Sequence, residues 1–106
     1  MNKLQQLMVI TMEECGELTQ ACSKTIRRSE EFSQIDKDQR KKLLEEAGDV
    51  YAMIQLMIKY NLFSYYDLEL RAKKKHNKLS KWSNLIDEPE ETPPTQEMLD
   101  LRQEMR

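Results

Sequence analysis

Leu4, Met8, Thr11, Cys15, Leu18, Cys22 and Thr25 succeed one another in alternating steps of four and three, the spacing that returns to one face of an α-helix. They predict a first helix over residues 2–28. The polar stretch 29–36 breaks the pattern and ends in Asp36, placed as the N-cap of a second helix. That helix, over residues 37–60, has Leu43, Ala47, Val50, Tyr51, Ile54, Met57 and Ile58 as its apolar arc, and Asn61 closes it. Ser64 and Asp67 form a variant capping box. They open a third helix that runs to Trp82 and packs through Tyr65, Leu68, Ala72 and Leu79. Past Trp82 the chain turns acidic and is punctuated by Pro89, Pro93 and Pro94. Residues 95–106, with Met98, Leu101 and Met105 on one side, are expected to form a short fourth helix that is an arm against a neighbouring chain or a frayed tail.

The pattern therefore predicts an all-α fold: a helical bundle of three main helices over residues 1–82, with a linker and short C-terminal helix or tail over 83–106. Two Gly and three Pro in 106 residues, with no Pro before residue 83, suit long helices joined by few tight turns. A chain of this length buries only about 60–65% of its unfolded surface. The first two apolar arcs span about 150°, more than the roughly 100° that one buried face needs. Three helices are too few to cover both, so association into a homodimer or homotetramer is expected to complete the bundle.

Charge and cysteine content narrow the function classes. Seventeen basic and nineteen acidic residues leave a net charge of −2, which gives no overall drive toward nucleic acid or membrane. Asn2, Lys3, Gln5 and Gln6 interrupt the N-terminal stretch, which reads as neither a signal peptide nor a membrane span. Cys15 and Cys22 lie about 10 Å apart along one helix, beyond the roughly 7 Å a disulfide tolerates. They are expected to be buried, reduced thiols, in keeping with a cytoplasmic protein. One His and no CxxC pair argue against a structural zinc site.

The chemistry is concentrated in an echo between the first two helices. Glu13-Glu14-Cys15-Gly16-Glu17 and Glu45-Glu46-Ala47-Gly48-Asp49 each read as two acids, two small residues and an acid, and they hold the only two glycines of the chain. Glycine inside a helix costs about 0.5–1 kcal/mol relative to alanine; close approach of the two backbones around a shared site would explain both. Turning by about 100° per residue sets Glu14 between Ile10 and Leu18, inside the apolar sector, with Glu17 at its edge. Glu46 likewise falls between Val50 and Met53, with Asp49 at the edge, while Glu13 and Glu45 face further out. Inward carboxylates cost several kcal/mol unless paired or bound to a cation. No Lys or Arg stands at the matching inward positions, so a hard dication with oxygen ligands is expected. A di-iron carboxylate bundle would need Glu-x-x-His on two helices, and the single His76 follows Lys73-Lys74-Lys75 instead.

These segments resemble the all-α nucleoside triphosphate pyrophosphohydrolase superfamily, the MazG-like group, whose hallmark is E-E-x-x-E on one helix and E-x-x-D on the next. Here it reads Glu13-Glu14-x-x-Glu17 and Glu46-x-x-Asp49, within MEECGELTQACSK and LLEEAGDVYAMI, which are similar to phage and bacterial forms. The resemblance covers about residues 4–82, with its specific motifs in the first two helices. It implies a four-helix-bundle-like fold and magnesium-dependent hydrolysis of a nucleoside triphosphate, a deoxynucleotide or non-canonical nucleotide, to monophosphate and pyrophosphate. Manganese would be a substitute metal. The setting would be the cytoplasm, or the host cytoplasm for a phage-encoded chain. By carry-over Glu14, Glu17, Glu46 and Asp49 are metal ligands, and Glu13 is a further ligand or the base that orients the attacking water. Such chemistry depends on positioning and charge neutralisation, which clustered carboxylates with metal supply.

Phosphates also call for cations. Lys24 lies beyond Glu17 near the same edge, where the family usually has a lysine. Lys75 is expected to face inward between Leu68 and Leu79, with Lys78 one turn later; Asn77 is a candidate contact to sugar or base. His76, Trp82, Tyr51, Tyr65 and Tyr66 are read first as core residues. An alternative substrate is phosphoribosyl-ATP, which a related branch of the superfamily cleaves. In an alternative of another class, Arg71, Lys73, Lys74, Lys75, Lys78 and Lys81 would serve a non-catalytic module that binds nucleic acid or a partner, a reading that leaves the inward carboxylates unexplained. A family member that senses nucleotides without cleaving them would carry the same ligands.

Overall fold

The computed structural model describes residues 1–86. The expected short helix over 95–106 lies outside them. The described fold is all-helical, with three α-helices and one short 3-10 turn: α1 (Lys3–Arg28), the turn Phe32–Gln34, α2 (Lys37–Lys59) and α3 (Tyr65–Trp82). No helix among the described residues is long and apolar enough to cross a membrane.

Local chemistry sets the helix boundaries. Asn2 caps α1 in a capping box with Gln5: the Gln5 N–H donates to Asn2 Oδ1 at 2.8 Å and the Asn2 N–H to Gln5 Oε1 at 3.0 Å. In the connection, the Gln34 side chain accepts from the N–H groups of Glu30 and Glu31. Arg40 reaches back from α2 to donate to the carbonyls of Ile35 and Phe32. Asp36 caps α2 by accepting from the Gln39 N–H at 2.7 Å. That helix ends in a Schellman motif: Asn61 takes a left-handed φ of 61°, its N–H donates to the Ile58 carbonyl, and the Leu62 N–H donates to the Met57 carbonyl. Ser64 and Asp67 close the capping box that opens α3.

The chain divides into two compact units, Met1–Leu62 and Phe63 onward. The first is an antiparallel hairpin of α1 and α2. Its buried side chains recur at multiples of seven residues on each helix, at Leu7 and Ala21 on α1 and at Gln39, Glu46 and Met53 on α2, with half-buried Glu14 completing the first series. This is the spacing of a coiled-coil seam. Gln39 fixes the register by donating its Nε2 to the Ala21 carbonyl at 3.1 Å and to Thr25 Oγ1 at 2.7 Å. The same register brings Glu14 to Glu46 in the middle and Leu7 to the level of Met53 at the far end. Threonines flank the seam without leaving hydroxyls unpaired: Thr11 donates to the Leu7 carbonyl and Thr25 to the Ala21 carbonyl.

The seam corrects the expected apolar face. It is the stripe of residues 7, 11, 14, 18, 21 and 25 that faces α2, so Leu4, Cys15 and Cys22 are exposed although Thr11, Leu18 and Thr25 belong to both stripes. A helix with a wide apolar arc offers more than one packing face, and the position of its partner decides between them. The thiols are thus free but exposed, not buried. On α2, Met53 is buried while Ala47 and Tyr51 are exposed. Leu7, Ala21 and Met53 are the buried hydrophobic residues among those described, and the layer between them is acidic.

In the second unit, α3 has Leu68 and Leu79 half-buried, but Tyr65 and Ala72 are exposed. His76 and Trp82 are exposed as well, against the expectation of core places.

Candidate metal centre

The seam brings three carboxylates together. One oxygen each from Glu14 on α1 and from Glu46 and Asp49 on α2 lie within 4.8 Å of one another. The reason is local: residues three apart on a helix share a side, so Glu46 in the seam carries Asp49 at its edge, and the antiparallel register presents Glu14 to both.

The three groups differ in setting. Glu46 is 6% exposed and Glu14 half-buried, while Asp49 is exposed; the cluster is rooted in the seam and open to solvent on one side. The Glu14 carboxyl is held above its ordinary value of 4.5, first by desolvation and then by the charges of Asp49, Glu46, Glu17 and Glu13. Glu17 and Glu13 are therefore close enough to be felt, although both are exposed and outside the three-oxygen group.

A basic partner is present where the helix pattern predicts none. Lys42 Nζ stands 2.9 Å from Glu46 Oε1, one helical turn earlier on α2. The lysine side chain is 49% exposed and the glutamate side chain 7%, so a long side chain rooted on the flank reaches the buried oxygen. Its ammonium is held above 10.5, chiefly by the hydrogen bond to Glu46 and by that residue's charge. The signal is in the sequence: Lys42 precedes Glu46 by four residues. One ammonium against five neighbouring acids leaves the cluster strongly negative.

The glycines do not mark close backbone approach. A Cβ built on Gly16 or Gly48 meets nothing within 4 Å. Each comes two residues after its inward glutamate, about 200° round the helix, and so lies on the opposite side from the seam. Of the four other candidate contacts, one lies further along α1 and three belong to the second unit. Lys24 is exposed about 15 Å along α1 from Glu14 by the helical rise. Lys75, Asn77 and Lys78 belong to the second unit and are exposed on α3; Lys75, expected to face inward, has its Nζ 5.3 Å from the centroid of the Trp82 ring.

The chain matches no protein-family model, no curated protein and no solved structure. Function has to be read from the site's own chemistry. Three clustered carboxylate oxygens with no nitrogen or sulfur donor among them fit a hard dication such as magnesium or calcium, and the exposed side leaves room for water and a phosphate oxygen in the same coordination sphere.

Proposed function

We propose that the protein is a magnesium-dependent nucleoside triphosphate pyrophosphohydrolase of the all-α, MazG-like type. The observation that carries this reading is the meeting of Glu14, Glu46 and Asp49 within 4.8 Å across the hairpin, on the two sequence motifs that resemble that superfamily. Glu14, Glu46 and Asp49 would hold the metal, with Glu17 completing the set from the next turn of α1. Bound magnesium would neutralise phosphate charge and acidify a coordinated water.

The chain's own residues have separable roles in this scheme. Glu46, buried and paired with Lys42, is the fixed point, since its second oxygen remains for a ligand. Asp49, exposed at the rim, is the side from which a triphosphate enters. Glu13, one residue before Glu14, accepts a proton from the attacking water or orients it. Lys42, already at the edge of the cluster, offsets charge on the bound phosphates. Lys24 is too far along α1 to touch a group held at Glu14 and serves, at most, a distal part of a long substrate.

A second copy of the chain is part of the proposal. Leu4, Met12, Ile26, Leu44 and Tyr51 are each more than half exposed on the hairpin, and a homodimer or homotetramer would cover them. Light scattering at micromolar concentration tests this; a monomer would remove it.

The activity is tested by incubating the protein with standard and oxidised nucleoside triphosphates and with phosphoribosyl-ATP, with and without magnesium, and resolving the products. Monophosphate and pyrophosphate, formed only with metal and lost in Glu46→Ala, are expected. Absence of turnover on every nucleotide, with metal bound, would leave a nucleotide sensor in place of an enzyme.

A further inference from the structure

The basic stretch of α3 belongs to the other compact unit, not to the hairpin that carries the carboxylates. Between Arg71 and Trp82 the sequence holds six cations and no acid. The chain as a whole is net negative, so this is a local reversal of sign. At about 100° per residue, Arg71, Lys74, Lys75, Lys78, Lys81 and Trp82 fall within an arc of about 120°. All six are exposed, and the half-buried residues Leu68, Lys73, Leu79 and Ser80 lie outside that arc. None of the five cations in the arc makes an ion pair among the described residues. The arc is thus a track of positive charge about 16 Å long by the helical rise.

An aromatic ring ends the row. Trp82 is 65% exposed, which is unusual for a tryptophan, and Lys75 Nζ lies 5.3 Å from its centroid, within cation–π range. A ring held by a cation on one face and open to solvent is preorganised to stack a planar group on the other.

We propose that this face of α3 binds single-stranded nucleic acid, with Arg71, Lys74, Lys78 and Lys81 along the phosphates and a base stacked on Trp82. Cations in a track with an aromatic platform are what sequence-tolerant single-strand binding requires. A duplex is disfavoured, because its stacked bases do not reach a tryptophan ring and Asn77, the amide side chain best suited to read a base edge, lies off the arc. A membrane surface is disfavoured because an interfacial helix buries a broad apolar face, whereas the leucines of α3 sit off this arc, Leu68 and Leu79 half-buried and Leu70 37% exposed. The proposal does not depend on nucleotide hydrolysis at the hairpin.

The test uses the full chain and its sole tryptophan, Trp82. Titration with a short oligodeoxythymidine at low salt is expected to quench the Trp82 emission. The logarithm of the association constant should fall with the logarithm of salt concentration by about 0.7 per phosphate neutralised. The triple variant Arg71→Gln, Lys74→Gln, Lys81→Gln should bind at least tenfold more weakly and flatten that slope by about 2, with its helicity checked by circular dichroism. Trp82→Ala, followed by the anisotropy of a labelled oligonucleotide, should bind about tenfold more weakly. Three results would overturn the proposal: no binding at low salt, binding unaltered in the triple variant, or equal affinity for inorganic polyphosphate with no quenching by the oligonucleotide. Binding to anionic phospholipid vesicles in place of the oligonucleotide would also overturn it.

Discussion

Lys42 Nζ and Glu46 Oε1 meet at 2.9 Å on the flank of the hairpin seam, so the most buried carboxylate of the described chain is tethered by a cation that is itself half in water. A glutamate at a seam position, where a coiled coil ordinarily places an apolar residue, weakens the core. Stability and the proposed metal binding can therefore be tested separately.

Replacing Glu46 by Met removes a desolvated carboxylate and fills its seam position with apolar volume. Replacing a whole buried ion pair by apolar residues is often neutral or stabilising by about 1–4 kcal/mol, and here the remaining Lys42 is half in water, so its charge stays hydrated. Urea denaturation of the metal-free Glu46→Met protein is expected to give a midpoint equal to or above wild type, with metal binding lost. A large fall in the midpoint would show that the Lys42 pair contributes net stability.

The contribution of Glu14 to the stability of the metal-free protein is expected to rise as pH falls through its raised folded-state value toward 4.5. Glu14 keeps its proton to a higher pH in the folded state than the ordinary 4.5 of the unfolded chain. Between those two values the folded state binds more protons, so its contribution to stability decreases as pH rises through that window. Denaturation midpoints measured across the window should show this slope, and Glu14→Gln should flatten it relative to wild type.

Magnesium is expected to raise the thermal midpoint of the wild-type protein, because a ligand bound only by the folded state stabilises it by about 2.7 kcal/mol at one hundred times its dissociation constant. Glu14→Gln and Asp49→Asn should each abolish the rise, and Glu17→Gln should reduce it. A shift in wild type equal to that in Glu14→Gln would place the ion elsewhere. Differential scanning fluorimetry with and without millimolar magnesium decides it.

Gly16→Ala and Gly48→Ala should each stabilise the hairpin by about 0.5–1 kcal/mol, since a Cβ at either position meets nothing within 4 Å and alanine costs less to order in a helix. If either substitution instead lowers the urea midpoint, with the loss growing as protein is diluted, the glycine faces a second copy of the chain.

Secondary structure of the described residues is almost wholly readable from the sequence, because its determinants are local. Asp36 and Ser64 cap the helices that their positions predict, and Asn61 ends α2 by adopting the left-handed conformation that asparagine tolerates. The inward placing of Glu14 and Glu46 and the outward placing of Glu13 and Glu45 are readable for the same reason, since angle around a helix comes from residue number alone.

What no single helix contains is which part of its apolar arc a neighbour will cover. Residue order suffices for the three helices, their ends and the inward pair of acids. Packing of one helix on the other was needed to run the seam through Leu7, Glu14 and Ala21 and leave Cys15 and Cys22 exposed, to bring Glu14 level with Glu46 and Asp49, and to bring Lys42 onto Glu46. The first two depend on the register of α1 against α2, set by long-range contacts such as Gln39 to Ala21 and Thr25, and such contacts have no period in the chain from which to read them. The third depends on a flexible lysine bending toward a carboxylate that the seam has desolvated, a choice of side-chain direction that spacing alone permits but does not impose.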